Sequence, residues 1–379
     1  MRVEQTQWTH EHGWDQPAGA LADSAQIVFL FGGTKAFREP GAVESVRRRY
    51  PKAHLLGCST AGEIRGTRVG DDSLVTSAVE FQSTRIQGSS VTVESSADSY
   101  SAGKQLANAL PGEGLVHVFV LSDGLHVNGS ALVQGLTDHL PKEVGVTGGL
   151  SADGDRFQET FVVWDGHPPR TKAVAALGLY GSALRVGFGS LGGWDSFGPE
   201  RVVTHSEGNV LFELDGRSAL ELYQEYLGEH AQGLPATGLL FPLSLRTRHS
   251  EVPVVRTILG VDEAAGSMTF AGDVPQGAIA RLMRANFDRL IDGAAGAART
   301  CREPLQGSQP DFAILISCVG RRLVLKQRVE EEVESVREVL GEPSVLAGFY
   351  SYGEISPFTP NARCELHNQT MTITAFSER

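Results

Sequence analysis

Gly57-Cys58-Ser59-Thr60-Ala61-Gly62-Glu63-Ile64 returns near the other end of the chain as Gly348-Phe349-Tyr350-Ser351-Tyr352-Gly353-Glu354-Ile355. The shared pattern is Gly, a Ser or Thr three residues on, then Gly-Glu-Ile. The same signals precede each copy. Residues 27–31, Ile-Val-Phe-Leu-Phe, form a short apolar run bounded by glycine, which predicts a buried strand. A helical stretch follows at 40–50, and a second apolar run at Leu55-Leu56 enters the motif. Ahead of the second copy, 311–317 reads as a strand and 322–340 as an amphipathic helix stopped by Gly341. The run 345–355 then reads as one strand carrying the motif.

The middle of the chain has the same order with a weaker motif. A strand at 115–121 leads to a helix at 130–140, with Leu132, Val133, Leu136 and Leu140 on one face. The next strand, 144–151, ends in Gly148-Gly149-Leu150-Ser151, followed by Asp153-Gly154. Further strands are expected at 74–81, 85–93, 159–164, 173–180 and 369–376, and a short helix at 101–110. A strand–helix–strand crossover implies parallel pairing with a right-handed connection. The spacing of the copies exceeds the roughly 20–50 residues of solenoid repeats, so it marks duplicated domains. The fold class expected is α/β to α+β: a two-domain layered sandwich of mixed β-sheets flanked by helices, built from duplicated strand–helix–strand–strand units. The stretch 187–199 is glycine-rich without periodicity, which puts the seam near residue 200 and the domains at 1–200 and 201–379. Beyond it, helices are expected at 217–227 and at 279–291.

Composition narrows the function. The chain has 379 residues, with 33 Lys plus Arg against 45 Asp plus Glu, for a formal charge of −12. That charge opposes a nucleic-acid binder built on phosphate neutralisation. With 41% hydrophobic residues the chain can bury a sizeable core. Its four cysteines, Cys58, Cys301, Cys318 and Cys364, are too dispersed for a zinc or redox pair and read as reduced thiols. The start, Met-Arg-Val-Glu-Gln-Thr-Gln-Trp, carries no secretory signal, and no apolar run reaches the ~20 residues of a membrane helix. A cytoplasmic protein without a membrane or nucleic-acid partner is expected.

The candidate ligand-binding residues are those of the strand ends: Cys58, Ser59, Thr60, Glu63, Ser151, Tyr350, Ser351 and Glu354, with His367 and Asn368 from the polar run before the last strand. Hydroxyls and backbone N–H groups at strand ends can converge on a small anionic or zwitterionic ligand, and glycine permits close approach. The same residues also read as a turn with a packed strand end. Glu354 with His367 reads as an acid/base pair, a metal pair, an orienting hydrogen bond, or a tie across the last hairpin. Asn368 suits a left-handed turn position. Cys58 as a nucleophile has no sequence-adjacent base. No metal site and no catalytic set emerge.

Taken together, these motifs resemble the FIST family of sensory domains. The resemblance also rests on Leu121-Ser122-Asp123-Gly124, on Gly148 through Asp153, and on Asn209 with Leu214-Asp215-Gly216-Arg217-Ser218-Ala219-Leu220, and it spans about residues 25–376. It implies an N-terminal and a C-terminal FIST domain and a signal-input protein, not an enzyme, that binds a small molecule, with amino acids proposed for the family. With no output domain attached, it would act on a separate partner. One bacterial branch binds haem, senses nitric oxide, and regulates a histidine kinase or cyclic-di-GMP enzymes. Haem needs an axial ligand, and His205 and His367 are the candidates. A Cys58- or Glu354/His367-dependent hydrolase is the other reading.

Overall fold

The computed structural model describes residues 1–379 apart from 18, 235, 248–252, 306 and 359–361. One order of elements occurs three times. Unit one runs β1 (Arg2–Thr9), β2 (Ile27–Gly32), α1 (Ala42–Arg49), β3 (His54–Ser59), β4 (Glu63–Arg65) and β5 (Ser73–Glu80). Unit two runs β6 (Arg85–Thr92), α2 (Ser99–Ala109), β7 (Leu115–Ser122), α3 (Gly129–Thr137), β8 (Gly145–Leu150), β9 (Val162–Trp164) and β10 (Ala173–Tyr180). Unit three opens with β11 (Leu184–Leu191) and is then interrupted by an eight-stranded sheet. That inserted sheet includes β12 (Asp195–Glu207), β13 (Leu243–Arg246), β14 (Val254–Arg256) and β15 (Ile279–Arg284), and it packs on α4 (Ala219–Leu227). Unit three resumes with α5 (Phe287–Arg302), β16 (Phe312–Cys318), α6 (Val319–Leu325), α7 (Val329–Leu340), β17 (Val345–Ser351), β18 (Gly353–Pro357), β19 (Cys364–His367) and β20 (Met371–Glu378).

Each unit builds a six-stranded mixed sheet. The two strands joined by the helix are parallel, as a crossover requires: β2 with β3, β7 with β8, β16 with β17. The others pair antiparallel. The short crossing strand of each unit joins another unit's sheet: β4 pairs with β17, β9 with β3, and β18 with β8. This exchange closes the three sheets on one another.

Alternation in the strands then sorts the core. Phe29 and Phe31 of β2, Phe119 and Leu121 of β7, and Phe312, Ile314 and Phe349 of unit three face the centre. Their rings touch across units, with Phe29 and Phe119 edge to face at 5.6 Å and Phe31 and Phe349 at 4.8 Å. Their neighbours on the opposite face, Val28 and Leu30, or Val118 and Val120, pack outward under the helices. Mixed sheets flanked by helices in repeated units are therefore the architecture.

Several local expectations change. Residue 200 falls inside β12, and strands from both sides of it share sheets, as β11 does with β20. The stretch 187–199 is ordered: Gly187 and Gly189 belong to β11 because α5 lies against it, and a Cβ on Gly187 would stand 1.9 Å from the Cys301 carbonyl. The helix expected at 279–291 is β15 followed by α5, with Asn286 capping α5 by accepting from Arg289 N. Ala280 and Leu282 alternate inward there, a strand period hidden in a helix-like run. The helix expected at 322–340 is broken in two at Lys326, whose φ is 51°. The strand expected at 345–355 is β17 and β18, which serve different sheets. Among the described residues, no helix is long and apolar enough to cross a membrane.

Candidate functional site

Each letter of the repeated motif has a local task. Its first glycine permits close strand approach. A Cβ on Gly148 or Gly348 would lie 1.8 or 1.9 Å from the carbonyl of Val120 or Leu315 on the parallel neighbour. Its hydroxyl and carboxylate meet. Thr60 Oγ1 donates to Glu63 Oε1 at 2.5 Å, and Ser351 Oγ donates to Glu354 Oε1 at 2.6 Å. The other carboxylate oxygen receives the start of the unit's last strand. Ser73 N and Oγ reach Glu63 Oε2 at 3.1 and 2.7 Å, and Thr370 N and Oγ1 reach Glu354 Oε2 at 3.2 and 3.0 Å. Both carboxyls are buried. Burial pushes Glu63 up to about 7 and Glu354 up to about 8, with these hydrogen bonds pulling the other way. The turns are internal locks able to hold a proton.

Unit two departs from this pattern. Val162 occupies the register position of Glu63 and Glu354, each paired one residue past the motif glycine (Cys58, Phe349 and Gly149). The start of β10 is held instead by Asp123, which accepts from Lys172 N at 2.7 Å and from Leu125 and His126 N at 2.8 and 2.7 Å. Ser151, the counterpart of Thr60 and Ser351, is buried with its Oγ unpartnered.

The remaining candidates from the sequence are also internal or remote. Cys58 faces the central apolar core, and burial raises its thiol well above the ordinary range, so it is not an available nucleophile. Ser59 Oγ accepts from Phe161 N at 2.9 Å. Tyr350 donates its hydroxyl to Glu332 at 2.6 Å within a buried cluster that the sequence did not reveal. There Arg321 and Glu332, both fully buried, pair at 2.7 Å, and Ser317 Oγ also donates to Glu332. Glu354 and His367 are register partners, yet their side chains bond elsewhere: His367 Nε2 donates to Ser356 O at 2.7 Å. The left-handed residue of this turn is Gln369 (φ 64°), while Asn368 donates Nδ2 to Tyr352 O at 3.3 Å.

These residues do not fit a haem. His367 is fully buried beside Phe358, and burial lowers its imidazole to about 4. His205 is half exposed on β12, stacked on Phe212 at 4.6 Å. Neither lines any of the described cavities. Among the described residues no group of three His, Cys, Asp or Glu side chains is placed to hold a metal.

Two clefts do adjoin the motif. Glu63 borders one of about 400 Å³ with Gln5, Gln7, Arg65 and Arg68. Its arginines are already paired, Arg65 with Asp15 and Arg68 with Glu330. The other, about 250 Å³, opens at the carboxyl ends of β7 and β8, beneath the inserted sheet. Ends of strands in layered α/β folds are where crevices take ligands. Asn128 caps α3 by accepting from Ala131 N at 3.0 Å, and donates to Asp273, in the connection leading into β15 of the inserted sheet, at 3.1 Å. Its aromatic wall is Phe157 stacked on Tyr352 at 4.4 Å. Phe157 sits at φ 53°, a strained region for a bulky residue, and is 42% exposed. Asp153 holds that conformation by accepting from the N–H groups of Phe157, Gln158 and Glu159 and from the Tyr352 hydroxyl. Phe157, Tyr352, Asn128 and Asp273 come from separate segments and share no sequence signature.

Known proteins can be set beside this geometry. The chain is 25% identical to the uncharacterized protein MJ1623 of Methanocaldococcus jannaschii, over 86% of this chain and 69% of that one. A cyanuric acid hydrolase from A. caulinodans aligns at TM-score 0.36 and 8% identity, covering 100% of this chain and 99% of that one. A second cyanuric acid hydrolase structure aligns at 0.33 and 8%, with the same coverage. Both structural likenesses are too weak to carry a functional argument. The FIST N domain matches residues 26–217 and the FIST C domain residues 219–357. FIST domains are small-molecule-binding sensory domains of signal transduction, and the chain belongs to the FIST family.

Proposed function

We propose that this chain is a signal-input protein that binds a small polar metabolite of amino-acid size in the crevice between unit two and the inserted sheet. The observation that carries the reading is Phe157, held in a strained conformation over Tyr352 at the mouth of that crevice. Strain of this kind is kept where a side chain must be presented. The aromatic pair offers a stacking face, and Asn128 with Asp273 offers polar groups for orientation. Because the crevice lies between two bodies of the protein, occupancy changes how the inserted sheet seats on unit two. A separate signalling protein, such as a histidine kinase, reads that change. The protein acts by binding, in keeping with a buried Cys58 and engaged carboxylates.

A thermal-shift survey of amino acids and related metabolites tests this, since a ligand of the folded state raises Tm by mass action. The expected outcome is one chemical class that stabilises the wild type and leaves Phe157→Ala and Asp273→Asn unshifted. A survey with no stabilising compound, or a shift retained in both variants, defeats it. Haem is included as a control, and a Soret band sensitive to His205→Ala or His367→Ala would move the reading to the nitric-oxide-sensing branch.

A further inference from the structure

Arg256 lies at the end of β14 and is 6% exposed. Its Nε donates to Asp273 O at 3.1 Å, and its Nη1 donates to Leu366 O at 3.0 Å and Val255 O at 3.4 Å. These acceptors are all backbone carbonyls. Among the described residues no carboxylate stands within 4.0 Å of the guanidinium, and Nη2 has no acceptor. Asp273 and Glu365 act on the guanidinium only through space, so its Nη2 keeps a charged donor free for an anionic oxygen.

Arg256 lines a crevice of about 480 Å³ between the inserted sheet, α3 and β19. A second polar group there is unsatisfied: Ser130 Oγ, in the first turn of α3, is buried without a partner. Val133, Val254 and Leu366 give the crevice an apolar wall. Asp273 and Glu365 also border it, and burial holds the Glu365 carboxyl above its ordinary range. Arg363 borders it too, so two guanidiniums face two carboxyls, and the crevice admits one negative charge more readily than two.

We propose that this crevice binds a small organic monocarboxylate. The carboxylate accepts from Arg256 Nη2 and Ser130 Oγ, and the hydrocarbon part lies against Val133, Val254 and Leu366. The crevice shares only Asp273 with the one at Phe157, and the proposal stands whether or not that crevice is the sensory site.

Calorimetric titration of the full chain with butyrate, and with inorganic phosphate at matched ionic strength, tests it. Butyrate should bind saturably in the millimolar range and phosphate should not. Arg256→Gln should weaken butyrate by about tenfold or more. That variant also loses carbonyl contacts between the inserted sheet and β19, so a second one is needed. Gln134→Trp fills the crevice from an exposed position of α3 without touching those contacts, and should abolish butyrate binding at unchanged Tm. Phe157→Ala should bind butyrate as the wild type does. No saturable butyrate heat, equal binding of phosphate, or full binding by Gln134→Trp overturns the proposal.

Discussion

In unit one, the N–H that starts the last strand, on Ser73, is held by Glu63 from the crossing strand; in unit two the equivalent N–H, on Lys172, is held by Asp123 from the end of β7. Unit three follows unit one, with Glu354 and Thr370. What the fold demands is a carboxylate at that N–H, whichever position supplies it. Ser73 and Thr370 are buried, so an unpaired donor at either is costly. The repeated Gly-Glu is thus a lock within its unit, tying the crossing strand to the strand that follows. Unit two is released from it, and unit two is the unit that carries the crevice with Phe157 at its mouth.

The comparison can be broken hardest at Glu354. Glu354→Ala strands Thr370 N, Thr370 Oγ1 and Ser351 Oγ and should cost about 3 kcal/mol or more in urea unfolding. Val162→Ala, at the matching position of unit two, should lose only its share of packing, about 1–2 kcal/mol.

Next in size is pH. Glu63 and Glu354, at about 7 and about 8 when folded, lie above the ~4.3 of an unfolded glutamate. The folded state then holds protons that the unfolded state has released. Their contribution is full below the unfolded value and is lost as pH rises through about 7 and about 8. Stability should fall from pH ~5 to ~8, and the double variant Glu63→Gln, Glu354→Gln should flatten that slope. A wild-type profile that rises over this interval refutes the assignment.

The hydroxyls sharpen the comparison further. Ser351→Ala removes a hydrogen bond to a buried carboxyl and should cost about 1 kcal/mol. Ser151→Ala removes a hydroxyl that bonds nothing and should stay within about 0.5 kcal/mol of wild type. Equal costs for the two serines would mean that unit two keeps a lock not visible in its hydrogen bonds.

Much of the fold is legible in the chain because alternation and turn residues are local. Residues 27–31, 115–121 and 311–317 show as strands since each is apolar on both faces, one toward the centre and one toward a helix. The missed elements had ambiguous periods: 279–291 hides a strand before a helix, and 345–355 hides a change of sheet at Tyr352. Of the site, the sequence marked residues with a strong local signature, and those serve the turns. Phe157, Tyr352, Asn128 and Asp273 meet through contacts between residues far apart in the chain.

By itself the sequence determined the repeated unit, the mixed sheets and the family, because strand period, helix period and motif spacing are properties of neighbouring residues. Only the tertiary structure decided that the copies exchange strands into a closed set of three sheets, that Glu63 and Glu354 face inward as locks, and that the inserted sheet makes crevices with unit two. Those outcomes depend on which strands pair across units and which buried donor meets each carboxylate, and no local pattern specifies such pairings.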